Sequence, residues 1–370
     1  MRPIVHLERP LRGTGGPGAA GLYLCPVDLA HASARPDPSD RLLGGGPSRF
    51  SRVEVVVRMR ERIVAFTGPL DELRDWAGLE GFGHQFDTAV LGLTRRRQPL
   101  FGRSWDRPLV MGVVNASPDS FYDGSPRRTV KAAISRAHAL IAAGADMLDV
   151  GGESTRPGAG RVGWAEEIDR VVPVIEASVG FGVPISIDTS KVPVMCAAFA
   201  AGASVINDVT ALTGDPESLG FASKAGAPVV LMHMLGKPRT MQDNPSYDCV
   251  PLDVADYLAS RLAACERAGI PGASILVDPG IGFGKTVDHN AALLARIGIL
   301  HSLGAPVLLG ASRKSLIARM SRGEEPEHRL GGSLALALGA VEQGVQVLRV
   351  HDVAETCQAL AVRQAVLDAG

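Results

Sequence analysis

The 370-residue chain is short of cysteine, of net charge and of long apolar runs, and each shortage removes a class of protein. Its five cysteines, Cys25, Cys196, Cys249, Cys265 and Cys357, are odd in number, widely spaced and free of any Cys-x-x-Cys pair. A disulfide framework and a cysteine-built zinc site are therefore disfavoured, and the five read as reduced packing residues. The formal net charge of -1 gives no electrostatic case for a nucleic-acid partner, although a small anionic substrate needs only a local cluster of cations. No apolar stretch reaches the roughly 18 residues of a membrane span. Arg2, Glu8, Arg9 and Arg12 break up the N-terminus, so no signal peptide is expected and a cytoplasmic location is.

What is present is a repeated device. From Leu109 onward, short runs of Val, Ile and Leu stop abruptly at a polar residue or a glycine-rich turn, and a helix-like segment follows. Leu109 to Val114 stops at Asn115, Met147 to Val150 at Gly151, Ile185 to Ile187 at Asp188, and Ser204 to Ile206 at Asn207. Val229 to Met232 stops at His233, Ile275 to Val277 at Asp278, Val307 to Gly310 runs into Ser312, and Val347 to Val350 into His351. Apolar runs without alternation are strands buried on both faces, the pattern of a parallel sheet. Residues 130–143, 166–179, 192–201, 252–268, 291–303 and 332–343 carry helical spacing, and many end in glycine. Eight strand-then-helix units over about 260 residues predict an α/β fold, a (β/α)8 barrel, spanning 106–370. Its strand ends should bring Asn115, Asp188, Asn207, Asp278, Lys314, Arg349 and His351 to one mouth.

Residues 1–105 read as a separate extension to which no function is assigned. Residues 10–49 are dense in Gly, Pro, Asp and Arg and predict loops or partial disorder. Partial alternation from Val53 to Phe66 predicts a strand or hairpin, and Pro69 to Gly78 a short helix, so a small α+β element is expected over 53–78. Arg95-Arg96-Arg97 reads as a solvated linker face.

The candidate mouth residues sort by chemistry. Asp188, Asn207 and Asp278 suit a heterocycle that presents N–H donors beside acceptors, although each alone could cap the helix after it. Gly280 to Thr286 resembles a phosphate loop but has Pro279 where that loop needs glycine. It is either a bend where backbone meets a flat ligand or a plain turn. Ser312-Arg313-Lys314-Ser315 opens a helix whose free N–H groups suit a carboxylate or phosphate, with Lys314 able to reach the ring site; the alternative is an N-capped surface helix. Arg349 and His351, with Asn115, suit a diphosphate. For His351 the alternative is a core histidine with a satisfied partner, a reading that fits His233 better because nothing cationic sits beside it. With no His-Glu-x-x-His and no acidic cage, the expected metal is Mg²⁺, held through Asn115, water and substrate phosphate oxygens.

Several motifs in order carry a family resemblance. They are Met111-Gly112-Val113-Val114-Asn115-Ala116-Ser117-Pro118-Asp119-Ser120-Phe121, Asp149-Val150-Gly151-Gly152-Glu153-Ser154-Thr155-Arg156-Pro157-Gly158, Asp188-Thr189-Ser190, Ile206-Asn207-Asp208 and Leu231-Met232-His233-Met234. Asp278-Pro279-Gly280-Ile281-Gly282-Phe283-Gly284-Lys285, Ser312-Arg313-Lys314-Ser315 and Arg349-Val350-His351-Asp352 complete them. From about Pro108 onward the chain resembles the dihydropteroate synthases of the folate pathway. The resemblance implies condensation of 6-hydroxymethyl-7,8-dihydropterin diphosphate with 4-aminobenzoate, Mg²⁺ as the metal, and a homodimer without nucleic-acid or membrane partners. It implies that Asp188, Asn207, Met232, Asp278 and Lys314 hold the pterin, and that Asn115, Arg349 and His351 hold the diphosphate and metal. Thr155, Pro157, Phe283 and Ser315 are expected around the aminobenzoate, with Asp119 and Arg156 on loops that close and, with Lys314, assist catalysis. Ala116-Ser117 departs from the family's usual Val-Thr, and Ile281 from its common Phe. The rival readings are a corrinoid-linked pterin-binding methyltransferase domain, against which the Ser312 to Ser315 and Arg349/His351 motifs stand, and a slow pterin-binding paralogue.

Overall fold

The computed structural model describes residues 1–11, 19–31, 37–116, 126–154, 160 and 162–369. Asp119, Thr155, Arg156 and Pro157 lie outside the described residues.

The first hundred residues form more structure than their composition predicts. Strands β1 (Ile4–His6), β2 (Ala19–Val27), β6 (Arg52–Met59) and β7 (Ile63–Pro69) make a sheet of order β1-β7-β6-β2. The short strands β3 (Ala30–His31), β4 (Arg41–Leu42) and β5 (Ser48–Phe50) make a second, and helices α1 (Leu70–Leu79) and α2 (Gly83–Thr94) follow. The hairpin expected over 53–66 is β6–β7, paired with Val55 opposite Phe66. The expectation of loops over 10–49 is corrected by β2, which pairs along β6 from Ala19 opposite Met59 to Val27 opposite Arg52. Its partner lies some thirty residues on, so pairing rather than local composition decides its state.

This sheet is buried on both faces, which explains why the alternation in β6 is only partial. Val53, Val55 and Val57 pack with Phe66, Trp76 and Phe86 under α1 and α2. On the other face Cys25, Val56, Ile63 and Ala65 join the large core of the second unit. Arg58 Nη2 and Nη1 bond Asp253 and Asp256 at 2.7 and 2.9 Å, and Arg296 Nε bonds Glu54 at 3.2 Å. The solvated basic linker holds for Arg95 and Arg96, which are exposed, and is corrected for Arg97, only 6% exposed.

The second unit alternates strand and helix: β8 (Leu109–Asn115), α3 (Pro126–Ala142), β9 (Met147–Gly151), α4 (Trp164–Ser178), β10 (Ile185–Asp188) and α5 (Val192–Ala200). It continues with β11 (Val205–Asp208), α6 (Ser218–Ala225), β12 (Val229–Met232), α7 (Val250–Arg267), β13 (Ile275–Asp278) and α8 (Val287–Leu294). It ends with β14 (Leu308–Leu309), α9 (Ser315–Met320), α10 (Leu330–Glu342), β15 (Val347–Val350) and α11 (Val353–Asp368). Among the described residues the eight strands are parallel in the order β13-β12-β11-β10-β9-β8-β15-β14, and a bridge from Val277 to Val307 closes the ring. This is the expected (β/α)8 barrel. Met111, Met147, Val205, Val230, Leu276, Leu308 and Val347 fill its interior, with Leu100 and Trp105 from the linker packed on them. The helix expected over 291–303 is instead α8 followed by a 3₁₀ turn at Ile297–Leu303, in which Ile297 to His301 are all buried. Burial on every side removes the exposed face that a regular amphipathic helix needs. Among the described residues no helix is long and apolar enough to cross a membrane.

Candidate functional site

Barrel register brings the predicted strand-end residues side by side. Asp188 on β10 is opposite Asn207 on β11, and Met232 on β12 is opposite Asp278 on β13. Ser186 pairs with Asp149, so Asp149 on β9 lies one pleat below Asp188 and faces the same way. Arg349 reaches across from β15: its Nε donates to Asp149 Oδ2 at 2.6 Å and its Nη2 to Asp188 Oδ2 at 2.8 Å. Asn207 Nδ2 donates to the same Asp149 oxygen at 3.0 Å. The other oxygen, Asp149 Oδ1, is buried and has no partner among the described residues. Asp149 was missing from the sequence-derived set; its signal is an acid inside a run otherwise buried on both faces, a cost that paired or ligand-directed groups alone offset.

The charges interlock. Burial pushes the Asp188 carboxyl up to about 7, Asp149 adds to this and Arg349 opposes it. For Arg349 burial works against the charge, but Asp149 and Asp188 outweigh it and push the guanidinium further up. Burial also raises Asp278, against the pull of Lys314, and Asp278 Oδ1 accepts from Gly280 N at 2.8 Å. Lys314 is pushed down to about 8 by burial, with Asp278 opposing. Its Nζ donates to the Ile281 carbonyl and stands 4.8 Å above the Phe283 ring. One ammonium thus joins the acid floor to an aromatic wall.

The remaining candidates sit around this centre. Asn115 ends β8, half-buried and opposite Gly151. His351 follows β15, its Nδ1 3.1 Å from Ser312 Oγ, while the Arg349 guanidinium turns to the acids. Ser315 is exposed at the first turn of α9. Arg313 is engaged elsewhere, bonding Asp352 Oδ2 through Nε at 2.8 Å.

His233 is the buried, partnered core histidine expected, but the expectation of no cation beside it is corrected. Lys285, 3% exposed, places Nζ 2.9 Å from His233 Nδ1 and also donates to the carbonyls of Gly280 at 2.9 Å and Phe283 at 3.1 Å. Sequence alone gave no sign of this, because the pair is 52 residues apart and meets only through the register of β12 and β13. The bend they support requires glycine: Gly280 has φ +66°, and a Cβ there would lie 1.9 Å from the His233 carbonyl oxygen.

A closed parallel barrel with paired acids, an amide and two cations at the C-terminal ends of its strands defines an enzyme class that binds pterins, and the family described as "Pterin binding enzyme" matches residues 111–351. The chain is 48% identical over 263 residues to the dihydropteroate synthase of Escherichia coli K12, covering 71% of this chain and 93% of that one. The solved Xanthomonas albilineans dihydropteroate synthase with 4-aminobenzoic acid is 50% identical, covers 71% of this chain and 94% of that one, and superposes with a TM-score of 0.67. The Burkholderia cenocepacia dihydropteroate synthase complexed with 7,8-dihydropteroate is 45% identical, with 72% and 94% coverage and a TM-score of 0.66. The chain belongs to the dihydropteroate synthase family and is a transferase.

Proposed function

We propose that the chain condenses 6-hydroxymethyl-7,8-dihydropterin diphosphate with 4-aminobenzoate, giving 7,8-dihydropteroate and diphosphate. The observation that carries this reading is the buried Asp149 Oδ1 beside Asn207, Asp188 and Asp278, to which no described residue donates. A buried acceptor of this kind costs about 1–3 kcal/mol unless a donor meets it, and the aminopyrimidine edge of a pterin supplies N–H donors. The pterin-bound relatives support the same assignment. The pterin carbonyl and ring nitrogen would take Lys314, and Met232 would pack on the ring face.

Cleavage of the methylene carbon–oxygen bond leaves positive charge on the pterin side and sends the electron pair to diphosphate. The aminobenzoate nitrogen then bonds to that carbon and loses a proton. The reaction calls for held charges and an aligned amine, with no nucleophilic side chain. We assign the diphosphate to Asn115, His351 and the outer side of Arg349, and the aminobenzoate to Phe283, Ser315, Thr155 and Pro157. Asp119 and Arg156 would close over the site and exclude water. Among the described residues no cluster of three or more His, Cys, Asp or Glu side chains could hold a metal. A Mg²⁺ at Asn115 fits that donor set, since this ion is commonly held by one or two protein oxygens, waters and substrate phosphates; when bound it would neutralise the departing diphosphate.

Incubating the purified chain with Mg²⁺, the pterin diphosphate and 4-aminobenzoate should release dihydropteroate and diphosphate in equal amounts. Pterin binding without product would replace the synthase reading with that of a binding paralogue. We further propose a cytoplasmic homodimer joined through α10 and α11, where Val362 and Val366 are 60% and 68% exposed beside half-buried Leu334 and Leu338. Val362→Asp should shift the sedimentation coefficient to that of a monomer; a dimer that persists moves the interface elsewhere.

A further inference from the structure

Two adjacent residues just past β14 bond two adjacent residues just past β15. Ser312 Oγ accepts the His351 backbone N–H at 3.1 Å and stands 3.1 Å from the His351 ring Nδ1. Arg313 forks onto Asp352, Nε to Oδ2 at 2.8 Å and Nη2 to Oδ1 at 2.5 Å. The ladder between the two strands ends lower, at Leu309 opposite Leu348. Beyond it, these side-chain bonds join the two ends. The Arg136 guanidinium of α3 takes the His351 carbonyl and fixes this end of β15 on the side of β8, its other neighbour.

Both partners of the ion pair give up something local to make it. Arg313 has φ +56°, in the left-handed region that a long side chain disfavours. Its backbone is held there by α10 and the residue before it: Arg313 N donates to Ser333 Oγ at 2.9 Å, and Arg329 Nη1 donates to the Arg313 carbonyl at 3.1 Å. Asp352 is the N-cap of α11, where an aspartate ordinarily accepts an N–H of the first turn, yet its side chain makes no capping bond. Both its oxygens turn to Arg313 instead, and its side chain is only 9% exposed. Strain of this kind, maintained from three sides, collects where a site must be held in one geometry.

The neighbours of the clamp are the residues among which the proposed reaction divides its substrates. Lys314, next after Arg313, reaches the Ile281 carbonyl and the Phe283 ring, and Ser315 opens α9. On the other strand Arg349 and His351 alternate to the same side, with Arg349 on Asp149 and Asp188. The clamp therefore sets how far the pterin and aminobenzoate side chains stand from those assigned to the diphosphate.

We propose that the Arg313–Asp352 pair, with Ser312 on His351, is a positioning device that holds the leaving diphosphate at a fixed distance and angle from the pterin methylene carbon. Neither Arg313 nor Asp352 needs to touch substrate. The inference rests on the synthase reading, in which the departing oxygen, the carbon and the amine nitrogen must align, and a misplacement of about 1 Å can cost on the order of a hundredfold in rate.

Two variants remove the ion pair without opposing the fold. Arg313→Gly keeps the positive φ at no steric cost, and Asp352→Ser leaves a residue that can still cap α11. In the full chain with Mg²⁺, each should lower kcat about tenfold and raise the calorimetric Kd of diphosphate by a similar factor, while the Kd of 6-hydroxymethyl-7,8-dihydropterin, which lacks the leaving group, stays within about twofold. The double variant should be no worse than either single one, because both delete the same interaction. A lower thermal midpoint with kcat and the diphosphate Kd unchanged makes the pair structural and overturns the proposal. Losses that multiply in the double variant, or equal weakening of the pterin alcohol and diphosphate, overturn it as well. A native chain that binds diphosphate but forms no dihydropteroate fails the synthase reading alone, and the two Kd comparisons then decide the clamp; a native chain that binds no diphosphate overturns both.

Discussion

A single ammonium, Lys285, ties the glycine-rich bend to β12. Its three short bonds, to His233 Nδ1 and the Gly280 and Phe283 carbonyls, use all three of its donors. Lys285→Met keeps the chain length but leaves His233 Nδ1 and the Phe283 carbonyl unmet, each costing about 1–3 kcal/mol, while the Gly280 carbonyl keeps the Phe283 N–H at 3.1 Å. Because Phe283 is on that bend, Lys285→Met should raise KM for 4-aminobenzoate about tenfold while changing pterin affinity less, with partial rescue by Lys285→Arg. A lower thermal midpoint with both KM values unchanged would make Lys285 a packing residue alone. His233 supplies the pH prediction. Burial, then the Lys285 charge, push its pKa down to about 3 from 6.5. Between these values the unfolded chain binds the imidazole proton and the folded chain does not, so stability falls as pH drops through this window and is unaffected above it. The slope is at most about 1.4 kcal/mol per pH unit for each such group. His301, fully buried and also pushed down to about 3, adds the same sign. His233→Asn should therefore flatten, without abolishing, the fall in thermal midpoint from pH 6.5 to 5; an unchanged slope would remove His233 from the acid response.

At the scale of elements, legibility follows how local the determinant is. The eight barrel strands were readable because a strand buried on both faces is apolar throughout, and Asp188 and Asp278 were readable because each ends such a run. The hairpin β6–β7 and helix α1 carried their signals in adjacent residues. β2 did not: Leu22, Leu24 and Cys25 lie among glycine and proline, and what makes them a strand is β6 on one edge and two apolar layers above and below. α2 was missed as well, and the 297–303 turn tightened because the extension covers the side that a helix would have left to solvent. The same division runs through the site. Strand-end residues were visible singly, whereas Asp149 and Lys285 matter through partners 58 and 52 residues away, Asn207 and His233. Arg97 looked solvated because a basic triplet usually is, and only packing of the linker between two units buries it.

For the whole molecule, the two units share one core, and this decides what the extension is for. Cys25, Val56, Ile63 and Ala65 belong to the same buried cluster as the barrel helices, and Leu100 and Trp105 close the bottom of the barrel interior. The polar bonds of the mouth described above come from residues after 108. Removing residues 1–98 should therefore damage stability and leave the geometry of the mouth intact. Each fully buried aliphatic side chain contributes about 1.5–3 kcal/mol, and a domain's whole margin is about 5–15 kcal/mol, so stripping one face of the shared core consumes much of that margin. Unpaired Asp253 and Arg296 would be left on the bared surface, where Arg58 and Glu54 now meet them. The truncated chain is expected to lose about 10 °C or more in thermal midpoint, to aggregate through the exposed apolar face, and to show unchanged KM values in whatever fraction remains soluble. Extending the deletion through residue 105 should be worse again, because it also removes Leu100 and Trp105 from the barrel floor. A truncated barrel within about 3 °C of the full chain, less than 2 kcal/mol at this size, would mean that the shared cluster contributes little and the extension is an appendage. Normal stability with raised KM would show instead that the extension acts on the mouth from a distance.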